Sequence, residues 1–84
     1  MKVIAKIEKG GGQIRVCLDK WKSELYCDLR FWYVKDTDYH PTPKGIRFNV
    51  ELLPELRAAL EEAERLIEAG EDLGDSRQAG ESQG

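Results

Sequence analysis

The sequence has little of what catalysis or metal binding requires. It contains one histidine, His40, and two cysteines, Cys17 and Cys27. A structural zinc site draws four Cys, His or acidic ligands from short spacings, and a covalent nucleophile needs an adjacent base. His40 lies between Tyr39 and Pro41, where we expect a solvated loop. We therefore expect no enzyme, no catalytic residue, no metal and no cofactor.

Long apolar runs are also missing. No segment approaches the roughly 20 apolar residues that span a membrane. Lysines at positions 2, 6 and 9 interrupt the N-terminal stretch, which is unlike the apolar region of a secretory signal. The triplet Gly10-Gly11-Gly12 precedes a predicted strand rather than a helix and lacks a phosphate-loop motif, so we expect a loop there. No membrane partner is expected.

The length of 84 residues allows one small domain. We assign residues 1–70 to that domain. Residues 71–84 contain one large apolar residue, Leu73, among glycine, polar and acidic residues, which predicts a disordered acidic tail. A core of about 70 residues is marginally stable by itself. Oligomerisation is the expected source of additional stability.

The two halves of the chain carry opposite charge. Residues 1–50 have a net charge of +4, and residues 51–84 have a net charge of −7, within a total of −3. This asymmetry indicates that the first half, rather than the second, would meet a polyanion. A soluble domain with a solvated helix explains the same numbers without any such partner.

The stretch from Gln13 to Tyr33 predicts a β-hairpin. Ile14, Val16 and Leu18 alternate with polar residues, and an odd-numbered apolar set from Leu25 to Phe31 does the same. The two apolar sets share a face only if paired positions sum to an odd number. A two-residue turn at Lys22-Ser23 gives a sum of 45. Because Lys-Ser is not favoured in tight hairpin turns, a longer loop of the same parity is the alternative.

This register predicts one apolar face and one mixed face. The mixed face carries aromatic and basic side chains, namely Arg15, Trp21, Tyr26, Arg30 and Trp32. Such a face suits unstacked bases, which stack on rings while basic groups follow the phosphates. Half-buried aromatic residues at a protein interface explain the pattern equally well. Cys17 and Cys27 fall on opposite faces, so no disulfide is expected.

The remaining elements are a short first strand, a last strand and a helix. Val3 to Lys9 alternates loosely, and Lys44 to Asn49 alternates again after a proline-containing stretch that cannot be a central strand. Asn49 is a suitable N-cap. A wide apolar stripe at helical spacing follows, and the helix either starts near Pro54 or kinks there. Gly70 ends it, and Glu61 and Arg65 are expected to pair.

At this point the residues resemble a known family. The blocks IRVCLDKWK, YCDLRFWY and HPTPKGIRFN occur in the order and spacing of the single-stranded-DNA-binding domain of the transcriptional coactivator positive cofactor four. Bacterial and phage relatives share this domain. Asp28-Leu29-Arg30 before aromatic residues, followed by Pro41-x-x-Lys44-Gly45-Ile46, carries the resemblance, which spans residues 13 to about 66.

The resemblance implies an α+β fold with a curved four-stranded antiparallel sheet and one C-terminal helix. It further implies a homodimer through the helices, with the sheets forming a groove for DNA. The implied contacts are Trp21, Lys22, Arg30, Tyr33 and Lys44, and Lys20, Arg15 and Arg47 are added as neighbouring basic residues. The sequence departs from the family where basic residues are usual, at Asp19, Glu24, His40 and Pro43.

The function expected on these grounds is sequence-tolerant binding of single-stranded DNA, with RNA as the alternative nucleic acid, in transcription regulation or DNA maintenance. The expected location is the cytoplasm, with the nucleoid, in a bacterium and the nucleus in a eukaryote. The rival hypothesis is a protein-interaction module that docks on a polymerase or another regulator of the transcription machinery through the sheet face or the acidic tail.

Overall fold

The computed structural model describes residues 1–74. Its four strands are β1 (Lys2–Lys9), β2 (Gly12–Trp21), β3 (Glu24–Lys35) and β4 (Asp38–Asn49), and they form one antiparallel sheet in chain order. A 3₁₀ turn, Val50–Leu52, and helix α1, Leu53–Glu68, follow. The predicted α+β architecture is confirmed. The chain divides into two compact units, Met1–Pro54 and a second that begins at Glu55.

The register between β2 and β3 is the predicted one. Ile14 pairs with Phe31 and Arg15 with Arg30, which gives the expected sum of 45 along the whole ladder. Because side chains alternate along a strand, the registers define two faces. The apolar face comprises Ile14, Val16, Leu18, Leu25, Cys27, Leu29, Phe31, Ile46 and Phe48. The polar face comprises Gln13, Arg15, Cys17, Asp19, Trp21, Glu24, Tyr26, Asp28, Arg30, Trp32, Tyr39 and Arg47.

Both turns that flank β3 contain two residues with positive φ. The values are 51° and 68° at Lys22 and Ser23, and 53° and 74° at Asp36 and Thr37. Positive φ at both central residues is the geometry of a type I′ turn, whose twist matches that of the flanking strands. The tight Lys22-Ser23 turn is therefore confirmed despite its unfavourable residue types.

The glycine triplet is only partly a loop. Gly10, with a φ of 52°, and Gly11 form the turn, but Gly12 is the first residue of β2 and pairs with Tyr33. A Cβ atom at Gly12 would collide with the Trp32 carbonyl oxygen and would lie 2.9 Å from Phe31 Cζ. The expectation that Gly12 lies in a loop is wrong, because this strand position has room only for hydrogen.

The last strand is longer than predicted. β4 begins at Asp38 instead of Lys44 and includes both Pro41 and Pro43. The register shifts between Arg30 and Trp32, so a bulge lies opposite them in β4. Because β4 is an edge strand, a proline there interrupts less of the ladder than it would in a central strand. His40 consequently lies in a strand rather than in a loop.

Full burial is confined to the middle of the sheet. Cys17 and Cys27 are each 1% exposed, and Gln13 and Asp28 are each 7% exposed. Both cysteines are free thiols, as the opposite-face prediction required. Several large side chains of the apolar face remain exposed, among them Leu25 of β3 at 51%. The two central strands therefore bury small and polar side chains more completely than large apolar ones.

The helical unit follows a capped 3₁₀ turn. Asn49 Oδ1 accepts a hydrogen bond from the Glu51 backbone N–H at 2.9 Å, so Asn49 caps the 3₁₀ turn. Helix α1 then begins at Leu53, which places Pro54 in its first turn, where proline is tolerated. Gly70, with a φ of 74°, closes the helix through a bond to the Ile67 carbonyl.

The ion pair predicted within α1 forms with a different glutamate. Arg65 donates to Glu62, three residues before it, instead of to Glu61, because Glu62 offers both carboxylate oxygens to the guanidinium. The expected disordered tail lies, from residue 75 onward, outside the described residues. Within residues 1–74, no helix has both the length and the apolar character of a membrane span.

Candidate nucleic-acid interface

The β2–β3 turn presents an aromatic ring beside a cation. Trp21 is the last residue of β2 and is 57% exposed. The Lys22 ammonium lies 4.5 Å from the centroid of the Trp21 ring. The positive φ of Lys22 directs the chain into the tight turn immediately after Trp21. The turn thus offers one ring face for stacking and one positive charge within reach of the same ligand.

Arg15 is held within the polar face. Its guanidinium lies 4.5 Å from the Trp32 ring centroid and 4.9 Å from that of Tyr39. Arg15 Nε also donates to Gln13 Oε1 at 3.1 Å, and Gln13 Nε2 donates to Glu8 Oε2 at 2.7 Å. Cation–π contacts of this kind are worth about 0.5–2 kcal/mol. Arg15 therefore has structural contacts that a phosphate would have to replace.

Arg30 makes more hydrogen bonds within the protein than Arg15 does. Its Nε and one terminal nitrogen donate to the two Asp28 oxygens at 3.0 and 3.2 Å, and the other terminal nitrogen donates to the Thr42 carbonyl at 2.9 Å. The Asp28 side chain is 10% exposed and that of Arg30 is 21% exposed. The arginine ties β3 to the β4 bulge. A phosphate at Arg30 would lie close to the Asp28 charge.

Arg47 makes a lighter contact. One of its terminal nitrogens donates to Asp19 Oδ2 at 3.0 Å, and its guanidinium lies 4.8 Å from the Tyr26 ring centroid. The hydrogen bond from Arg47 lowers the pKa of the Asp19 carboxyl below its ordinary value of 3.8. Asp19 therefore carries a full negative charge at neutral pH. It lies two positions from Trp21 on the polar face.

The predicted lysines are exposed. Lys20 and Lys22 lie at the end of β2 and in the following turn, and Lys44 lies in the β4 bulge. The Lys44 backbone N–H donates to Thr42 Oγ1 at 3.1 Å, and that hydroxyl donates to the Phe31 carbonyl at 2.7 Å. These bonds fix the backbone from which Lys44 extends. No side-chain ion pair involves these three lysines within residues 1–74.

Tyr33 lies away from Trp21. Its position in the register is on the side of the apolar face, where its ring centroid is 5.3 Å from that of His40 with a tilt of 31°. Tyr33 is 40% exposed. The two rings expected to stack on bases therefore belong to opposite faces of the sheet and opposite ends of the β2–β3 hairpin. The structure brings Trp21 together with Lys22 but does not bring Trp21 together with Tyr33.

Two polar-face residues, Gln13 and Tyr39, are not among the residues that the sequence predicts for the interface. Tyr39 joins this face because β4 extends through the prolines, and Gln13 joins it by parity. Trp32 Nε1 is buried without a hydrogen-bond partner. The available signal is the shared parity of Tyr39 and Pro41, and the two prolines are compatible with an edge strand or a loop but not with a central strand.

The chemistry of the two thiols favours a structural role. Burial raises the pKa of the Cys17 thiol, with a further contribution from Asp28, and burial raises the pKa of the Cys27 thiol in the same way. A raised pKa reduces the thiolate fraction that attacks or ligates. Within residues 1–74, no three His, Cys, Asp or Glu side chains are grouped to hold a metal ion.

Comparison with known families gives a specific match. The family model described as Transcriptional Coactivator p15 (PC4) matches residues 8–59, which include all four strands in whole or in part and the start of α1. The matched range contains every residue predicted for the interface. A comparison with curated proteins gives no match.

Solved structures agree with this match. The chain is similar to BPSL1147, a PC4 homolog from Burkholderia pseudomallei K96243, in its orthorhombic crystal form, with a TM-score of 0.70 and 33% identity over 76% of this chain and 89% of that one. It is also similar to a bacteriophage T5 homolog of the eukaryotic transcription coactivator PC4 implicated in recombination-dependent DNA replication. That similarity has a TM-score of 0.59 and 27% identity over 99% of this chain and 96% of that one.

Proposed function

Because the chain belongs to the transcriptional coactivator p15 (PC4) family, we propose that it binds single-stranded DNA with little sequence preference and acts by binding rather than catalysis. The observation that carries the proposal is the exposed Trp21 ring with the Lys22 ammonium beside it. Base–aromatic stacking contributes about 1–3 kcal/mol per base and tolerates any sequence. The phage T5 relative supports a role in DNA maintenance, and the family description supports transcription.

The residues of the proposed interface divide by their contacts. Trp21 stacks on a base, and Lys20, Lys22 and Lys44 hold phosphates. Tyr33 forms a second stacking position on the side of the apolar face. Arg15, Arg30 and Arg47 each already contact an aromatic ring, an acceptor or both, so they add positive potential and bind a phosphate only where it replaces those contacts. With this activity, the expected location is the nucleoid in a bacterial cell and the nucleus in a eukaryotic cell.

A titration with a matched control tests this proposal. Fluorescent oligo-dT, oligo-U and a DNA duplex are titrated at two salt concentrations. Replacing Lys20, Lys22 and Lys44 by alanine should reduce the slope of log K against log salt by about 2, given about 0.7 per lost contact. Replacing Lys2, Lys6 and Lys9 of β1 by alanine removes the same charge and serves as the control. Equal losses in both variants would refute a localised interface, and tighter duplex binding would refute single-strand preference.

We further propose that the protein is a homodimer through α1. Leu60 is 59% exposed and Ile67 is 66% exposed on the apolar stripe of the helix. Burying apolar area stabilises association by about 25 cal/mol per Å². Light scattering should give a mass of two chains. Leu60→Glu should give the mass of one chain, whereas Glu55→Gln, on the opposite side of the same helix, should leave the dimer intact.

The rival function is docking on a protein of the transcription machinery. The composition of the polar face favours it, because aromatic residues and arginines are also enriched at protein interfaces. Reversing the charge of Lys20, Lys22, Lys44 and Arg47 distinguishes the two hypotheses. Under the first proposal nucleic-acid binding is lost. Docking is supported if the wild-type protein binds no DNA and the charge-reversed variant still forms the partner complex.

A further inference from the structure

The Asp19–Arg47 pair occupies the surface beside the proposed stacking ring. Asp19 Oδ2 accepts from Arg47 at 3.0 Å, and Asp19 Oδ1 accepts from the Lys20 backbone N–H at 3.0 Å and lies 3.8 Å from the Met1 amino nitrogen. The Arg47 guanidinium also lies against Tyr26. A carboxylate thus accepts hydrogen bonds where an anionic ligand of this face would find its donors.

This pair differs from the other acid–arginine pair on the same face. Asp28 and Arg30 are joined by two hydrogen bonds, and their side chains are 10% and 21% exposed. Asp19 and Arg47 share one hydrogen bond, and their side chains are 27% and 36% exposed. Exposed ion pairs with a single contact contribute little to stability and exchange partners readily. Arg47 is therefore more readily released than Arg30.

We propose that Asp19 is an internal competitor for nucleic-acid phosphate, which limits the affinity of the interface by holding Arg47 and by placing a negative charge two positions from Trp21. The proposal rests on the proposed function. When a base of single-stranded DNA stacks on Trp21, the neighbouring phosphate competes with Asp19 for the Arg47 donors. The Asp19 charge also repels this phosphate until Arg47 exchanges its hydrogen bond to the Asp19 carboxylate for one to the phosphate.

Two physical effects of removing Asp19 act in the same direction. Loss of its charge removes repulsion of the phosphate, and a neutral side chain holds the Arg47 donors less strongly while the guanidinium stays against Tyr26. Stacking on the tyrosine keeps the guanidinium oriented, so less rotamer freedom is lost on binding. The part of the gain that comes from the released donors therefore depends on Arg47, which separates it from a general effect of net charge.

The test is a double-mutant cycle with a charge-matched control. Oligo-dT binding is measured for the wild type, Asp19→Asn, Asp19→Thr, Arg47→Gln and the Asp19→Asn/Arg47→Gln double variant. Asp36→Asn is the control, since it removes one negative charge in a turn where asparagine suits the positive φ. Far-UV circular dichroism checks that each variant is folded.

The expected result is about a three- to tenfold gain in affinity for both Asp19 variants at low salt, with a salt slope steeper by about 0.7. Asp36→Asn should change affinity less than about twofold. Arg47→Gln should cost little in the wild type but should remove the part of the gain that the released donors supply in the Asp19→Asn background.

Equal effects of Asp19→Asn and Asp36→Asn would overturn the proposal, as would an equal cost of Arg47→Gln in both backgrounds. Either result leaves the proposed function standing if the wild type binds oligo-dT. Absence of binding by every variant refutes the proposed function and this inference together.

Discussion

Arg30 donates two hydrogen bonds to Asp28, its neighbour two positions earlier on the same face of β3. Since the Asp28 carboxylate is almost buried, it depends on these donors for compensation of its charge. Arg30→Gln is expected to lower the free energy of unfolding by about 1–3 kcal/mol. Urea denaturation measures the loss.

The control for Arg30 is the double variant Asp28→Asn/Arg30→Gln, which removes the charge together with its partner. It should recover part of the stability, because no unpaired charge remains. If Arg30→Gln unfolds at the same urea concentration as the wild type, the ion pair is not structural and Arg30 is free to serve the ligand.

The two tryptophans are expected to respond differently to DNA. Trp21 is exposed beside the β2–β3 turn, whereas the Trp32 ring lies under the Arg15 guanidinium. Oligo-dT should therefore quench the fluorescence of Trp32→Phe, which retains Trp21, and should leave that of Trp21→Phe almost unchanged. Trp21→Ala should also weaken binding by about 1–3 kcal/mol. Quenching that persists in Trp21→Phe would contradict stacking on Trp21.

Neighbouring glycines are expected to tolerate alanine very differently. A methyl group at Gly12 would meet the Trp32 backbone and the Phe31 ring, while nothing lies within 4 Å of a methyl group at Gly11. Gly12→Ala should destabilise the fold by about 1–3 kcal/mol. Gly11→Ala, the matched control, should be neutral or slightly stabilising because it restricts the unfolded chain. Thermal unfolding of both variants distinguishes close packing from a general need for glycine.

The turn at Thr37 offers a stabilising substitution. Thr37 is a β-branched residue with a φ of 74°, a conformation that costs roughly 1–3 kcal/mol for residues other than glycine. Thr37→Gly should raise the free energy of unfolding by about 1 kcal/mol. Thr37→Ala retains a Cβ atom and should give a smaller gain. An equal gain from alanine would show that the strain does not come from the positive φ.

The pH dependence of stability should include a contribution from Asp19. Its hydrogen bond to Arg47 lowers the pKa of the folded-state carboxyl below 3.8. The contribution is therefore complete above that ordinary value and is lost as the pH falls through the lowered pKa. The difference in melting temperature between wild type and Asp19→Asn should shrink over that window. Arg47→Gln should behave in the same way, and a pH-independent difference would contradict the assignment.

Much of the sheet could be predicted from short-range pattern. The alternation of Ile14, Val16 and Leu18 and its odd-numbered counterpart in β3 fixed the register, since one face had to be apolar. The start of β4 could not be predicted in this way. Pro41 and Pro43 indicate an interruption, and only the edge position of β4 makes them compatible with a strand.

The residues of the candidate site could be predicted from the sequence more completely than their contacts. Arg15, Arg30 and Arg47 could be identified as basic residues near aromatic ones, but their partners could not. Arg47 meets Asp19 across 28 positions of sequence, which requires the registers of two strand pairs. Tyr33 was placed on the apolar side by parity, and the structure adds its contact with His40.

The sequence by itself determined which residues share a face and that Trp21 lies beside a tight turn, because side-chain direction in a strand has a period of two residues. Only the tertiary structure decided which charges of the polar face are already paired. That depends on how far β4 extends, on the bulge opposite Arg30 and Trp32, and on the side chains these place within 3 Å of one another. The Arg30–Thr42 and Asp19–Arg47 contacts are long-range, so no local pattern encodes them.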